Sequence, residues 1–96
     1  MKLEFHPEAE QEFIAAAFRY ETEVPGLGQR FYAEINAATA VLLDYPDIGS
    51  PIEDDLRKFL LEQFPYDLIY AHVADTIYIL AVAHQHREPG YWSTRI

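Results

Sequence analysis

The spacing of apolar residues changes once along the chain, near residue 46, and this change limits the possible folds. Before it, apolar residues recur every three or four positions, which is typical of amphipathic helices. After it, short runs rich in Ile, Val and Tyr follow one another, as they do in strands. Helices followed by consecutive strands favour an α+β fold in which the helices cover one face of a sheet.

The first half predicts a short strand and two helices. Residues 2–5 alternate polar and apolar side chains, and Pro7 then suits the first position of a helix. Residues 25–28 interrupt that helix, and a second one runs to about Tyr45, so the two form an antiparallel hairpin. The apolar stripe of the first helix is Ala9, Phe13, Ala16, Tyr20 and Val24. That of the second is Leu27, Phe31, Ile35, Ala38 and Leu42.

The second half predicts a loop, three strands and a short tail. Residues 47–55 contain glycine, proline and three consecutive acids, which are typical of a loop. The strands are predicted at residues 56–62, 66–73 and 76–84, and the last of these is nearly all apolar, as a central strand is. The order β-α-α-β-β-β predicts a helical hairpin on a small antiparallel sheet, within a single domain of residues 1–96. The N-terminal strand must join this sheet to satisfy its backbone groups.

Strand alternation predicts which side chains share a face of the sheet. It places Tyr66, Leu68, Tyr70 and His72 on one face of the second of these strands. It likewise places Tyr78, Leu80, Val82 and His84 on one face of the third.

Composition restricts the classes of function. The chain has no cysteine, which excludes disulfides and thiolate metal sites. It has no apolar run long enough for a signal peptide or a membrane span, so we expect a soluble cytoplasmic protein without a membrane partner. The net charge is −9, and residues 1–55 carry all of it, with twelve acidic and three basic residues. Such a field repels nucleic acid, so an RNA-directed activity would need a local basic site in the second half.

Two short motifs carry weak signals. Gly26 and Gly28 precede a helix, as phosphate-binding glycines do, but they follow a helix instead of a strand, and Phe31 stands where a third glycine would be. A helix break is the better interpretation. His84 and His86 are spaced to share a metal ion, but two ligands without a third are a weak indication, and we predict no metal or other cofactor.

The second half of the chain carries the strongest functional signal. It combines cationic, imidazole and aromatic side chains: Arg57, Tyr66, Tyr70, His84, His86, Arg87, Tyr91, Trp92 and Arg95. Such groups could bind a phosphate and transfer protons, or form a polar aromatic binding surface. Alternatively, Tyr91 and Trp92 hold the tail on the sheet while the arginines pair with acids. The residues alone leave these three interpretations open.

Several segments, in this order along the chain, resemble the RelE/ParE toxin superfamily. They are Phe5-His6-Pro7-Glu8-Ala9, Pro25-Gly26-Leu27-Gly28 with Arg30-Phe31, Leu56-Arg57, Phe64-Pro65-Tyr66 with Ile69-Tyr70, residues 77–84, and Arg87-Glu88-Pro89-Gly90-Tyr91-Trp92. The resemblance implies the helical hairpin and small antiparallel sheet of that family. It also implies a growth-inhibiting toxin of a type II toxin–antitoxin system, of the plasmid stabilisation type. A cognate antitoxin would wrap the toxin with its C-terminal segment and neutralise it in a hetero-oligomer.

The superfamily has two branches with different targets. RelE-like members cleave mRNA on the ribosome without metal, and ParE-like members inhibit DNA gyrase. For a ribonuclease, the resemblance and the residue types indicate Arg57, His84, His86, Arg87 and Tyr91 as catalytic groups. Target or partner binding would fall to Tyr66, Tyr70, Trp92 and Arg95.

Two departures favour the gyrase-inhibiting branch. Asp67 occupies a position that is often arginine in the RNA-cleaving branch, and the chain is strongly acidic where ribosome-acting members are basic. The alternatives are a metal-independent endoribonuclease and a scaffold that binds an antitoxin but has lost toxicity. Because acidic antitoxin tails would not be attracted to an acidic toxin, we expect apolar anchors to carry antitoxin binding.

Overall fold

The computed structural model describes residues 1–95. Its elements are β1 (Lys2–Phe5), α1 (Pro7–Glu23), α2 (Leu27–Asp44), β2 (Ser50–Glu53), β3 (Leu56–Leu60), β4 (Tyr66–Val73), β5 (Thr76–His84) and a 3₁₀ turn at Ser93–Arg95. The predicted α+β fold is confirmed, with the helical hairpin and the sheet in the expected order. No helix within this part of the chain has the length and apolar character needed to cross a membrane.

The sheet is mixed and has five strands in the order β1-β5-β4-β3-β2. The N-terminal strand joins the sheet as predicted, but it runs parallel to β5, so a mixed sheet replaces the antiparallel one that the short links between strands had favoured. Strand β1 ends at Phe5, and His6 N then donates one further hydrogen bond to Ile79 O at 2.8 Å. Beyond Ile79, β5 continues without β1 beside it. The C-terminal half of β5 therefore has an edge that no strand among residues 1–95 covers.

The strand β2 lies inside residues 47–55, which were predicted to be a loop. It pairs with β3 through a turn in which Asp54 has a φ of 46°. All four residues of β2 are exposed, so the segment shows no alternation of buried and exposed positions. The sequence pattern could not reveal it because that pattern records burial, and this strand is held by backbone hydrogen bonds.

Both faces of the sheet are covered. The larger core lies between the helices and the sheet and includes Phe31, Ile35, Leu68, Tyr70 and Val82. A smaller core on the opposite face contains residues from β3, β4 and β5 together with the tail. The prediction that β5 is buried on both sides is confirmed, since residues from it lie in each core.

A bulge in β5 corrects the predicted alternation of its side chains. Ala81 pairs with Ile69 but Ile79 pairs with Tyr70, so Leu80 is an extra residue. One extra residue reverses which face the following side chains occupy. Accordingly Val82 lies in the helix-side core while Tyr78 packs on the opposite face, and the two do not share a face as predicted. The bulge brings His84 to the helix-side face.

The two glycines before α2 serve the helical hairpin. Gly26 has a φ of 88°, which glycine adopts without strain. A Cβ on Gly28 would lie 2.8 Å from the Cβ of Glu21, so only glycine allows α1 and α2 to approach so closely. The Glu21 carboxylate accepts bonds from the backbone nitrogens of Gly26, at 2.8 Å, and Gly28, at 3.0 Å. A side chain of the protein therefore takes the place where an anion would bind.

Candidate functional site

A cleft of about 270 Å³ lies between α1, the adjoining ends of β4 and β5, and the tail. We call it the tail cleft. It is lined by Glu12, Ala15, Ala16, Arg19, Tyr66, Val82, His84, Arg87 and Tyr91. Four of these nine residues (Tyr66, His84, Arg87 and Tyr91) are among the candidates indicated by the sequence.

The carboxylate of Glu12 lies at the centre of the polar contacts in this cleft. Arg95 donates to both of its oxygens, at 2.9 and 2.8 Å, and the Tyr91 hydroxyl donates at 2.8 Å. The backbone nitrogen of Val82, on the uncovered edge of β5, donates at 3.0 Å. The side chains of Glu12 and Arg95 are only 15% and 7% exposed, so the pair is shielded from solvent.

On the uncovered edge of β5, the guanidinium of Arg95 donates to the carbonyl of Leu80 at 2.9 Å. Arg95 thereby satisfies a backbone acceptor that has no partner strand. Its hydrogen bond to Glu12 raises the pKa of Arg95. Burial, followed by the hydrogen bond to Glu12, raises the pKa of Tyr91 well above its ordinary value. The charged arginine and the neutral phenol are thus the stable forms, and together they fix the tail to α1.

Arg87 is the most accessible cation of this group. Its guanidinium stacks on the ring of Tyr91, 3.9 Å from the ring centre, and lies 3.7 Å from Glu12. Its side chain is 55% exposed, which leaves most of its donors facing water.

A second polar group lines the other wall of the tail cleft. Arg19 donates to the hydroxyl of Tyr66 at 2.7 Å, and this bond raises the pKa of Arg19. The ring of His84 packs edge-on against Tyr66 and against His86, with ring centres 5.0 and 5.3 Å apart. The Nδ1 atom of His84 accepts from the backbone nitrogen of His86 at 3.1 Å, so the proton of a neutral His84 ring lies on Nε2.

Tyr70 lies in the second half of β4, and Arg57 pairs with it from β3. Tyr66 and Tyr70 are four residues apart, which is about 13 Å along a strand. The Tyr70 hydroxyl donates to Pro46 O at 2.8 Å and accepts from Gly49 N at 2.9 Å. Arg57 donates to the carbonyls of Asp47 and Gly49 at 3.0 and 2.7 Å. We call this group of five residues, from Pro46, Asp47 and Gly49 to Arg57 and Tyr70, the loop clamp.

Trp92 lies on the opposite face of the sheet. It is 8% exposed and packs in the smaller core, with the ring of Tyr91 at 5.3 Å between ring centres. Its indole nitrogen has no hydrogen-bond partner among residues 1–95. Burial of Trp92 therefore anchors the tail on the sheet. This is the role that the third interpretation of the sequence gave it.

Sequence reasoning did not identify Glu12 and Arg19 as part of this site. A signal was present, because Glu12, Ala16 and Arg19 follow one another at helical spacing and so share one side of α1. That side borders the apolar stripe and faces the end of β5. What the sequence could not show is which strand end this side meets.

The tail cleft contains hydrogen-bond donors but no assembled metal site. Across the described residues, no three His, Cys, Asp or Glu side chains lie close enough to hold an ion. Asp67, on the strand next to the cleft, is 9% exposed and accepts from the side chain of Gln85 at 3.1 Å. The arrangement can recognise polar groups through Arg19, His84 and Arg87, while Glu12 and the carbonyl of Leu80 accept the hydrogen bonds of Arg95.

Comparison with known proteins agrees with this fold. A chain described as the chromosomal ParDE TA system from P. aeruginosa matches with a TM-score of 0.76 at 20% identity, over 88% of this chain and 95% of that one. A search of curated proteins found no match.

The architecture, a helical hairpin packed on a sheet, is the fold of that matched chain. The sequence model of the ParE toxin of type II toxin–antitoxin systems, parDE, matches residues 3–89. The chain belongs to this ParE toxin family and is the toxin component of a type II toxin–antitoxin system, with a cognate antitoxin as its partner.

Proposed function

We propose that this toxin arrests growth by binding a protein target, DNA gyrase being the target of ParE-like toxins, and that its antitoxin silences it by direct binding. The observation that carries the proposal is the position of Glu12. A carboxylate at the centre of the cationic group takes up the two donors of Arg95 and the hydroxyl of Tyr91. Those donors are the ones that a phosphate would otherwise require.

The surroundings of the cleft support the same conclusion. Glu12 and Glu8 balance the two positive charges of Arg87 and Arg95, and residues 1–55, which include both acids, carry a net charge of −9. A ribonuclease must stabilise extra negative charge on the phosphate in the transition state, which this balance opposes. Recognition of a protein needs no such charge, because apolar and polar contacts share the binding energy.

The direct test compares two activities of the purified toxin. In one reaction, gyrase supercoils relaxed plasmid DNA; in the other, ribosomes carry a defined message. We expect loss of supercoiling in the first and intact message in the second. Cleaved message together with unaffected supercoiling would refute the proposal. If neither activity appears and induced expression causes no growth defect, the chain is a non-toxic antitoxin-binding scaffold.

A second candidate function, metal-independent RNA cleavage, has one observation in its favour. Arg19, His84 and Arg87 line a single cleft, and the Nε2–H of the neutral His84 ring can donate a hydrogen bond to a phosphate oxygen. In that case Arg87 would bind the phosphate, while His84 and Tyr91 would exchange protons. Arg57, which the ribonuclease hypothesis assigned to the same role, lies in the loop clamp instead.

The double substitution Arg87→Ala with His84→Ala separates the two functions. A ribonuclease loses its toxicity while antitoxin binding remains measurable. Growth arrest by the double variant at an equal protein level would refute RNA cleavage by these groups. Arg30→Ala is the matched control, because it removes one positive charge from an exposed position on α2.

Antitoxin binding should rely on apolar anchors. Several large apolar side chains are exposed on different elements, among them Leu60 at 54% and Val73 at 60%. We expect the affinity of the toxin–antitoxin complex to change little between low and moderate salt, since screening weakens charge pairs but not apolar burial. A collapse of affinity over that range, measured by calorimetry, would contradict this.

A further inference from the structure

Another cavity lies on the face of the sheet opposite the helices, between the β2–β3 turn and the tail. We call it the indole pocket. It has a volume of about 320 Å³ and is lined by Ile52, Glu53, Lys58, Pro89, Gly90 and Trp92. Trp92 belongs to the smaller core, and Lys58 pairs with Ile69 of the same core, which places the pocket on this face. None of its lining residues lines the tail cleft.

One wall of the indole pocket carries a hydrogen-bond donor that the protein does not use. The side chain of Trp92 is buried, and its indole nitrogen has no acceptor among residues 1–95. A buried donor without an acceptor destabilises the fold, and most buried polar groups in folded proteins have a partner. A bound molecule with an oxygen that reaches this nitrogen would remove the penalty.

Two opposite charges accompany the indole. Lys58 is partly buried and Glu53 is exposed, and neither forms a salt bridge within residues 1–95. An ammonium group and an indole N–H can both donate to a carboxylate, and the Glu53 carboxylate can accept from an ammonium group. The side chains of Ile52 and Pro89 complete the pocket with apolar surface. The pocket thus combines a donor pair, a single acceptor group and an apolar wall.

We propose that the indole pocket binds a free α-amino acid with an apolar side chain. The ligand's carboxylate accepts hydrogen bonds from Lys58 and from the indole of Trp92, and its ammonium group donates to Glu53. Its side chain packs against Ile52 and Pro89. Small-molecule sites usually have volumes of roughly 300–1,000 Å³, so a cavity of about 320 Å³ suits a molecule of this size.

The charges favour such a zwitterion over related molecules. A simple apolar acid would place its carboxylate near Glu53 without compensation, and an apolar amine would leave the indole of Trp92 without an acceptor. A polyanion such as a nucleotide would be repelled by a chain with a net charge of −9. An amino acid adds no net charge and offers a partner to all three polar groups.

The tail connects this pocket to the tail cleft. Arg87 and Tyr91 line the cleft, while Pro89, Gly90 and Trp92 of the same segment line the indole pocket. A ligand that binds only the folded tail stabilises it, so the supply of an amino acid would act on the conformation of the tail cleft. The inference goes beyond the proposed function and does not depend on it, because binding is measured without any assay of toxicity.

The probe is L-leucine, titrated into the full chain and followed by heteronuclear NMR. Trp92 is the only tryptophan of the chain, so a single indole N–H signal reports on the pocket. Three compounds each lack one part of leucine: isocaproate lacks the ammonium group, isoamylamine lacks the carboxylate, and glycine lacks the apolar side chain. We expect leucine to shift the indole signal downfield with a dissociation constant at or below about 1 mM. Each comparison compound should bind at least about tenfold more weakly.

Two variants test the charged partners. Lys58→Met keeps much of the apolar stem and removes the ammonium group, so leucine should bind at least about tenfold more weakly. Glu53→Gln should abolish the preference for leucine over isocaproate, because the partner of the ligand's ammonium group is lost. Lys2→Met is the matched control, since Lys2 is exposed on β1 at the opposite end of the sheet, and it should change the affinity by no more than about twofold.

Circular dichroism verifies that each variant is folded. Glu53 is exposed, so Glu53→Gln decides the question even if Lys58→Met does not fold. The inference is overturned if leucine leaves the indole signal unchanged up to about 10 mM. It is also overturned if isocaproate or isoamylamine binds the wild type as well as leucine does, or if Glu53→Gln retains the full preference for leucine. Equal weakening by Lys2→Met and Lys58→Met would likewise contradict it.

Discussion

The two ends of β4 use the same residue types for different purposes. At the loop clamp, Tyr70 is 0% exposed, and its hydroxyl and the Arg57 guanidinium bond to backbone groups of a single loop. At the tail cleft, Tyr66 and His84 pair in register, and the arginines that surround them come from α1 and the tail. An arginine and a tyrosine therefore do not define a functional site by themselves.

The two regions differ in which groups accept the hydrogen bonds of their arginines. In the loop clamp, backbone carbonyls take up the donors, so the group holds the α2–β2 connection and exposes little to a ligand. In the tail cleft, one carboxylate from α1 takes up Arg95 but leaves Arg87 more than half exposed. The tail cleft can therefore meet a partner, and the loop clamp stabilises the fold.

The largest expected effect concerns the loop clamp. Tyr70→Ala removes a fully buried ring and leaves Gly49 N and Pro46 O without their partner. We expect a loss of about 4 kcal/mol in the free energy of unfolding, measured by urea denaturation. Tyr45→Ala, at an exposed tyrosine nearby, is the control. A loss below about 1 kcal/mol would show that the clamp does not hold the fold.

Glu12→Ala should have the next largest effect. It leaves the side chain of Arg95, only 7% exposed, without its counter-charge and removes the acceptor of Tyr91. Because breaking a buried pair from one side is costly, we expect a loss of about 3 kcal/mol. Glu10→Ala serves as control, since Glu10 is exposed on the same helix. Equal stability of the two variants would show that Glu12 does not fix the tail.

Gly49→Ala sharpens the role of the loop clamp. A Cβ at this position would lie 2.8 Å from the Tyr70 ring and hydroxyl, and the ring has no space to move away. Such overpacking should lower the free energy of unfolding by about 2 kcal/mol. Ser50→Ala, at the next and exposed position, should change it by less than about 0.5 kcal/mol.

Arg57→Ala and Arg87→Ala compare the two ends directly. Arg57 bonds to two backbone carbonyls, so its loss should lower stability by about 1 to 2 kcal/mol. Arg87, which is mostly exposed and lies 3.7 Å from Glu12, should contribute less than about 0.5 kcal/mol. Thermal unfolding of both variants provides the comparison. A larger loss of stability in Arg87→Ala than in Arg57→Ala would contradict the roles assigned to the two ends.

The smallest expected effect is a loss of stability at alkaline pH, which leaves stability at neutral pH unchanged. Burial raises the pKa of both Tyr70 and Tyr91 from the usual 10.0, so the unfolded chain loses these protons at lower pH than the folded one. The stability that these phenols contribute is fully present below pH 10 and falls as pH rises through their folded-state pKa. Tyr91→Phe should reduce this fall, and Tyr32→Phe, at an exposed ring, should not. Denaturation curves at increasing alkaline pH measure it.

The sequence predicted the fold where burial produces a pattern. Stripes at helical spacing located α1 and α2, and the apolar run of residues 76–84 located the central strand. The exposed strand β2 and the bulge at Leu80 were not predictable in this way. A strand without a buried face leaves no alternation, and a bulge depends on pairing with a distant partner.

The site was predictable only in part for a related reason. His84, Arg87 and Tyr91 are close in sequence and their residue types stand out, so they were identified together. Glu12 lies about seventy residues earlier and resembles the other glutamates of α1. Only the packing of α1 against β5 distinguishes it.

The central claim is that Glu12, together with Glu8, offsets the positive charges of Arg87 and Arg95. The most direct measurement is the binding of a short single-stranded RNA to the purified wild-type toxin, followed by fluorescence anisotropy at low salt. Because a carboxylate is already bound to Arg95 and lies beside Arg87, we predict no measurable RNA binding by the wild type. We predict the same result for Arg87→Ala. Tight binding that weakens steeply with added salt and disappears in Arg87→Ala would contradict the account.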